Sequence, residues 1–182
     1  PSLIREAADY FERAVVTRVY GSTEVPVTTV GVISRSDVAH GADTDGKAGI
    51  ATIKLVDATG ATAATGEVLA QGPQMLVGYV HPEDEASVFD AEGYYRTGDL
   101  GRWVDGDYLV IAGRIKDIII RNGENIAPKE VEDLLVAHPD IAEIAIVGLP
   151  DAKTGERACA VIVARGSAQP DVASLRAFLD AK

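Results

Sequence analysis

The residues "YYRTGDLGRWVDGDYLVIAG", Tyr94 to Gly113, decide how the middle of this chain folds. Two apolar runs flank Asp105-Gly106, and an Asp-Gly pair in that setting is a strong signal for a two-residue β-hairpin turn. Just before the hairpin, Asp99 is flanked by glycines at 98 and 101, which predicts a glycine-flanked turn. An aspartate in a turn can simply hydrogen-bond its own backbone. Other parts of the sequence therefore decide whether Asp99 has a further role.

Short strands with turn signals surround this hairpin, from about residue 48 to residue 112. The runs "AGIATIKLVD" and "GEVLAQGPQMLVGYV" are separated by the turn "ATGA", and such spacing is typical of a small barrel or a curled sheet. Upstream, the β-branched run "AVVTRVYG" at residues 14–21 predicts a strand that leads into the polar loop "YGSTE". Residues 31–47 hold scattered Gly, Ser and Asp, and we expect a loop there.

The pattern changes at "GRIKD", residues 113–117, where we place a domain boundary. Downstream we expect the strand "IIIR", the loop "NGEN", a helix from Pro128 to about Ala137, the strands "IAEIAIVG" and "ACAVIVA", and a last helix. Proline in the first helical turn and acidic residues near it suit a helix start. The fold class is therefore a mixture of α/β and α+β, with a second, small α+β layer after the boundary.

Composition limits the possible partners. The net charge of −11 in 182 residues, without a run of Lys or Arg, argues against nucleic acid as a partner. Cys159 is the only cysteine, so no disulfide can form within the chain, and its apolar surroundings predict a buried core thiol. The three histidines have no metal-ligand spacing. The sequence has no signal peptide and no apolar run near the ~18 residues of a membrane helix, which favours the cytoplasm.

Both ends of the sequence predict a piece of a longer protein. Leu3, Ile4 and Phe11 fall on one helical face with nothing before it to pack against. The helical pattern "DVASLRAFLDAK" stops without a glycine cap or a following element.

Three clusters stand in order along the chain, namely "YGSTE", "YYRTGDL" and "GRIKDIIIRNGENIAPKEVE". Together they resemble the adenylate-forming (AMP-binding) superfamily of acyl-CoA synthetases, peptide-synthetase adenylation domains and luciferases, from about Tyr20 to about Ala164. The form "RNGENIAPKEVE" is closer to the acyl-CoA synthetase, or fatty-acid–CoA ligase, branch. The resemblance implies that residues 1–112 end a large adenylate-forming domain with a β-barrel-like part at 48–112, that 113–117 are a hinge, and that 118–182 begin the small domain.

The resemblance implies four site residues in the large domain. Asp99 would accept hydrogen bonds from the ribose hydroxyls of ATP or AMP, since a carboxylate is an acceptor with two oxygens. Tyr20 would lie against adenine. Thr23 and Glu24 would be catalytic, with Thr23 on the α-phosphate and Glu24 as the Mg²⁺ ligand. The alternatives are a turn-capping Asp99, core packing for Tyr20 and a solvated charge at Glu24.

Around the boundary, the resemblance implies three further roles. Arg114 would reach the ribose or a phosphate, and Lys116, with Asp117 beside it, would be the hinge. Gly123 would line the tunnel for the pantetheine arm of coenzyme A, although Asn122 occupies a position where relatives often have glycine. The alternatives are a surface ion pair for Arg114 and an ordinary turn glycine at Gly123.

The reaction implied by the resemblance has two steps. A carboxylate attacks the α-phosphate of MgATP to give an acyl-adenylate, and the thiol of coenzyme A then displaces AMP. Relatives also use a lysine in a Ser-Gly-Lys context near the C-terminus; Lys182 lacks that context, so we expect residues 1–182 alone to have little activity. Transfer to a carrier protein and a non-catalytic nucleotide-binding relative stay as alternatives. The run "VPVTTVG" after Glu24 resembles runs in ligases of cyclic or medium-chain acids such as cyclohexanecarboxylate, and fatty, alicyclic and aromatic acids all stay open as substrates.

Overall fold

A computed structural model of the protein describes residues 2–85 and 87–181, so Lys182 lies outside the described residues. The chain divides into two compact units, residues 1–111 and residues 112–182. The helices and strands that begin in the first unit are α1 Ser2–Tyr10, β1 Thr29–Val30, α2 Val38–Asp43, β2 Lys47–Ala48, β3 Thr52–Val56, β4 Thr65–Gln71, β5 Tyr95–Val104 and β6 Tyr108–Arg114. The second unit contains β7 Ile119–Arg121, β8 Glu124–Ile126, α3 Pro128–Leu135, β9 Ile141–Asp151, β10 Gly155–Ala164 and α4 Val172–Asp180.

The first unit is built on one six-stranded sheet. Its strands lie in the order β1-β2-β6-β5-β4-β3, and the pairs β1–β2, β2–β6, β3–β4 and β4–β5 are antiparallel. The predicted hairpin is confirmed as β5 and β6, which meet at Asp105-Gly106. Strands β1 and β3 form the two edges of the sheet, so no described pairing closes it into a barrel.

Two apolar clusters hold this sheet and its loops. Leu55, Val68 and Leu109 are fully buried, and the Tyr20 ring packs against them. The second cluster contains Val25, Ala51, Ala70 and Tyr95. Tyr20 and Val25 come from the irregular segment before β1 and contact different clusters, so burial of apolar side chains fixes both ends of the loop between them.

The segment around Asp99 is a strand with a bulge, and our prediction of a turn there is wrong. Between the pairs Glu67–Leu100 and Leu69–Arg96, the three residues Thr97–Asp99 lie opposite Val68 alone. Gly98 has a φ of +71°, a conformation that side-chain-bearing residues seldom adopt. Extra residues in one strand make a β-bulge, which changes the direction of a side chain without ending the pairing. We call Thr97–Asp99 the Asp99 bulge.

Two predictions upstream of β2 are corrected. Residues 15–22 are irregular rather than a strand, because their backbone groups bond to scattered partners and not to one strand ladder: Arg18 N–H donates to Gly41 O of α2 at 3.0 Å and Tyr20 N–H to the side-chain Oγ1 of Thr29 at 2.7 Å. β-branched residues favour a strand only where a neighbouring strand offers a ladder. The predicted loop at 31–47 contains the short helix α2.

The second unit is a four-stranded sheet in the order β8-β7-β10-β9, associated with two helices. Its core comprises Ile119, Leu135, Ile141, Ile146 and Leu175, which come from β7, α3, β9 and α4. The strand and helix predictions are confirmed here, although part of the predicted loop "NGEN" is strand β8. No helix among the described residues is long and apolar enough to cross a membrane.

Cys159 differs from the prediction of a core thiol, since its side chain is only partly buried. It lies on β10 directly opposite Val147 of β9. Val147 is 39% exposed and Val161, two residues along β10, is 57% exposed. Alternate residues of a strand share a face, so Cys159 lies on the more exposed face of the sheet.

Candidate functional site

The first half of the candidate site is the segment Tyr20–Glu24, which we call the Tyr20 loop. Its first residue is fixed to β1 by a reciprocal pair of hydrogen bonds. Tyr20 N–H donates to Thr29 Oγ1 at 2.7 Å, and Thr29 N–H donates to Tyr20 O at 3.0 Å. Thr29 is fully buried. The loop therefore begins from a rigid point on the sheet.

Tyr20 and Asp99 are brought together by a direct hydrogen bond. The Tyr20 hydroxyl donates to Asp99 Oδ2 at 2.6 Å, a length typical of a hydroxyl bound to a carboxylate. Asp99 is only 6% exposed, and its own N–H donates to Thr97 Oγ1 at 3.1 Å. Thr97 in turn donates to Val68 O at 2.8 Å. The Tyr20 hydroxyl thus holds the Asp99 carboxylate, while the bulge fixes the Asp99 backbone.

Glu24, at the other end of the loop, lies beside two tyrosines. Its carbonyl accepts from Leu76 N–H at 2.7 Å. The Tyr79 hydroxyl lies 3.4 Å from Glu24 Oε1 and 3.4 Å from the Tyr95 hydroxyl. Burial alone would raise the pKa of Glu24, but hydrogen bonds from its backbone, Ser22, Tyr79 and Tyr95 together lower that pKa below its ordinary value.

The same surroundings shift the pKa of Tyr95 in the opposite direction, that is, upwards. Burial, the Tyr79 hydroxyl and the negative charge of Glu24 raise the pKa of Tyr95. Tyr95 and Asp99 both belong to β5. The Tyr20 loop therefore meets β5 at two points, with Tyr20 at Asp99 and Glu24 near Tyr95. Thr23 lies between these contacts, and its side chain is exposed.

The residues around Glu24 suit a hard divalent cation. A carboxylate with a lowered pKa is ionised at neutral pH and offers oxygen ligands. Among residues 2–85 and 87–181, no group of three or more His, Cys, Asp or Glu side chains could hold a metal ion by itself. A cation at Glu24 would therefore take its other ligands from phosphate oxygens and water, as Mg²⁺ often does.

Sequence reasoning missed three residues of this site. Tyr79, Tyr95 and Thr29 were not singled out, although each contacts a predicted residue. Tyr95 precedes "RTGD" directly, so its neighbourhood could have drawn attention to it. Tyr79 and Thr29 carry no comparable signal, because only the tertiary fold brings them to Glu24 and Tyr20.

In the second unit, the predicted residues Arg114, Lys116 and Asp117 all line a cleft. Arg114 and Lys116 are both exposed, and they border a cavity of about 710 Å³ together with Pro128, Lys129 and Glu132. Glu132 is held in place because its Oε1 accepts from Ile146 N–H at 2.7 Å. This cleft lies beside the turn Ile115–Asp117, helix α3 and strand β9.

Gly123 is the second residue of a tight turn between β7 and β8. Asn122 and Gly123 have φ values of +53° and +82°, and Arg121 pairs with Glu124 across them. Two consecutive positive φ values in a two-residue loop define the hairpin turn that Asn-Gly sequences favour. Gly123 is not among the described residues that border the cleft. The turn explains the glycine locally, whether or not a ligand also approaches it.

Comparison with known proteins gives one consistent picture. Residues 130–182 match the family described as the AMP-binding enzyme C-terminal domain. The medium-chain fatty-acid–CoA ligase of Escherichia coli K12 is 42% identical over 151 residues, which is 80% of this chain and 26% of that protein. The salicyl-AMP ligase / salicyl-S-ArCP synthetase of Mycobacterium tuberculosis is 47% identical over 116 residues, covering 63% of this chain and 20% of that protein.

A solved structure extends the similarity over the whole chain. The o-succinylbenzoate CoA synthetase of Bacillus subtilis, in complex with its acyl-adenylate intermediate, superposes with a TM-score of 0.85 and 28% identity. The match covers 100% of this chain and 37% of that chain. The curated relatives are much longer than this chain, which spans between 19% and 34% of the length of those compared.

Proposed function

Because this chain belongs to the adenylate-forming superfamily of AMP-binding enzymes, we propose that the full-length protein is an ATP-dependent acyl-CoA synthetase. It would convert a carboxylic acid into an acyl-adenylate and then into an acyl-CoA thioester. The observation that supports this most strongly is the hydrogen bond from Tyr20 to Asp99, since it joins two motifs 79 positions apart into one structure.

In the first step, a carboxylate oxygen of the substrate bonds to the α-phosphorus of ATP, and the bond to pyrophosphate breaks. Asp99 would accept the ribose hydroxyls, Tyr20 would face adenine, and Thr23 would donate its hydroxyl to an α-phosphate oxygen. Glu24 would hold Mg²⁺, which supplies positive charge against the phosphate oxygens when it is bound. The lowered pKa of Glu24 keeps this carboxylate ionised over the whole neutral range.

In the second step, the sulfur of coenzyme A bonds to the acyl carbon and AMP leaves. Lys116 and Asp117 would absorb the backbone rotation that changes the site between the steps, and they belong to a single 3-10 turn, Ile115–Asp117, between two strands. Arg114 would contact the nucleotide, and Gly123 would lie against the pantetheine arm. The exposure of Arg114 and Lys116 leaves both side chains accessible to a ligand. We place this chemistry in the cytoplasm.

The substrate class is best sought among fatty, alicyclic and aromatic acids. The similarity to a medium-chain fatty-acid–CoA ligase supports a fatty acid, and the small, β-branched run after Glu24 is compatible with a cyclic or medium-chain acid such as cyclohexanecarboxylate. A second candidate function is transfer of the acyl group to a carrier protein. The 47% identity to the salicyl-AMP ligase / salicyl-S-ArCP synthetase favours it.

A pyrophosphate-exchange screen of the full-length protein tests this proposal. We expect one class of carboxylic acid to drive exchange of labelled pyrophosphate into ATP, in the presence of Mg²⁺. Mass spectrometry after adding coenzyme A then separates the two candidates, because only the synthetase releases acyl-CoA. Exchange without acyl-CoA, but with acylation of a carrier protein, would favour the second candidate. No exchange with any acid class would contradict both.

A further inference from the structure

The Tyr20 side chain has two separable parts. Its ring packs against the buried cluster of Leu55, Val68 and Leu109, and that packing needs no hydroxyl. Its hydroxyl instead donates to Asp99 Oδ2 at 2.6 Å. A phenylalanine would keep the ring and its packing, so the hydroxyl has a task that apolar packing does not explain.

We propose that the Tyr20 hydroxyl is a positioning group that orients the Asp99 carboxylate for the ribose hydroxyls of ATP. This inference rests on the proposed function, in which Asp99 binds the ribose. A carboxylate rotates readily about its Cβ–Cγ bond, because that torsion is broad. A donor held at one oxygen fixes the plane of the group and hence the directions in which it accepts hydrogen bonds.

The geometry supports positioning because both partners are anchored to the same sheet. Tyr20 is held at its backbone by Thr29 of β1 through bonds of 2.7 Å and 3.0 Å. Asp99 is held by the bulge in β5, where Gly98 supplies the positive φ and Thr97 accepts the Asp99 N–H. The carboxylate is therefore preorganised before a nucleotide arrives, which reduces the ordering that binding has to impose.

The test is a binding cycle that removes hydroxyls from the protein and from the nucleotide in turn. Isothermal titration calorimetry of the full-length protein measures the affinity for ATP and for 2′,3′-dideoxy-ATP, in the wild type and in Tyr20→Phe. We expect the wild type to bind ATP at least about 10-fold more tightly than it binds the dideoxy analogue. Tyr20→Phe should weaken ATP binding about 3- to 10-fold and change binding of the analogue by less than about twofold.

Each other outcome has a defined meaning. A wild type that does not distinguish the two nucleotides would contradict the ribose role of Asp99 and hence the proposed function itself. If the wild type and Tyr20→Phe both distinguish ATP from the analogue to the same degree, only the positioning inference is overturned. Equal weakening of both nucleotides would assign the hydroxyl to the loop's general structure and also overturn it. A Tyr20→Phe protein that no longer melts cooperatively would likewise overturn the inference, because the hydroxyl would then be needed for folding.

Two further variants sharpen the cycle. If Tyr20 acts only through Asp99, then adding Tyr20→Phe to Asp99→Ala should cause no further loss of ATP affinity; an additive loss would contradict the inference. Tyr108→Phe is the matched control, since the Tyr108 hydroxyl also donates to a carboxylate, Asp37 Oδ2, at 3.2 Å. We expect Tyr108→Phe to leave both nucleotide affinities unchanged. A nucleotide-specific loss in this variant would show that the effect is not particular to Tyr20.

Discussion

The two units of the molecule differ in how most of their predicted functional residues are held. In the first unit, Tyr20 and Asp99 are joined by a hydrogen bond beside the apolar core. In the second unit, Arg114, Lys116 and Gly123 are all exposed, and none of them belongs to the buried core of that unit.

This difference distinguishes residues that are fixed in position by the core from residues that are accessible at the surface. A site held by the core can fix a carboxylate before its ligand arrives, but loss of the buried apolar side chains beneath it also disturbs the fold. Exposed residues contribute little to stability, so they can change function with little effect on folding.

The largest effects should come from cavities in the two cores. Leu55→Ala in the first unit and Ile141→Ala in the second each remove a fully buried side chain and should lower the free energy of unfolding by about 2–5 kcal/mol. Leu55→Ala should also weaken ATP binding, because the Tyr20 ring packs on the Leu55 cluster. Chemical denaturation and calorimetry measure both quantities. An equal loss of ATP affinity in Ile141→Ala would contradict the proposed difference between the two units.

Glu24→Gln should lower the exchange rate about 10- to 100-fold while it changes stability little, since it removes the charge but keeps the shape. Burial opposes the shift, but the hydrogen bonds that together lower the pKa of Glu24 should let the wild type keep Mg²⁺ bound to a lower pH than an ordinary glutamate would. That binding should be lost only as the pH falls through the lowered pKa. Mn²⁺ binding followed by electron paramagnetic resonance at decreasing pH measures this. Loss of Mn²⁺ binding at the ordinary pKa of a glutamate would contradict the lowered pKa of Glu24.

Sequence reasoning worked best where one periodic pattern was enough. The Asp105-Gly106 hairpin, helix α3 and the strands β9 and β10 follow from local signals. The strand predicted at residues 14–21 failed because strand formation needs a partner that the sequence does not name. The Asp99 bulge was read as a turn for a similar reason, since glycine serves both structures and only the register of β4 against β5 separates them.

The site was predicted in its residue types but not in its contacts. Three ordered motifs indicated Tyr20, Glu24 and Asp99, whereas the hydrogen bond between Tyr20 and Asp99 depends on the tertiary fold. The roles of these residues toward a nucleotide stay predictions.

A smaller effect is expected at His40, which connects α2 to the β5–β6 turn. Its Nδ1 lies 2.7 Å from Asp37 Oδ1 and its Nε2 lies 3.1 Å from Asp105 Oδ2, while its ring stacks on Tyr108 at 3.9 Å. Hydrogen bonds to Asp105 and then Asp37 raise the pKa of His40. Its stabilisation is therefore complete below the ordinary histidine pKa and lost as the pH rises through the raised value.

Melting curves at several pH values test the His40 prediction. The difference in Tm between the wild type and His40→Asn should be largest near pH 6 and should shrink toward about pH 9. His81→Asn, a change at an exposed histidine, provides the control and should show no such trend. A difference that grows with pH would reverse the predicted sign.

The smallest effect on folding should come from Lys116→Ala. Because Lys116 is exposed, the free energy of unfolding should change by less than about 0.5 kcal/mol. Pyrophosphate exchange should stay within about twofold of the wild type in Lys116→Ala, because alanine leaves the backbone free to rotate. In Lys116→Pro, which fixes the φ angle, thioester formation should slow if the residue is the hinge. Comparing the two half-reactions measures this. Thioester formation at the wild-type rate in Lys116→Pro would contradict the hinge role.

The most direct test of the central claim, that the Tyr20 loop and the Asp99 bulge form one nucleotide site, is ATP binding by the full-length Asp99→Ala variant. Calorimetry should show a loss of about 100-fold in ATP affinity relative to the wild type, with Lys116→Ala binding ATP normally. If Asp99→Ala melts cooperatively and binds ATP as tightly as the wild type, the claim is contradicted.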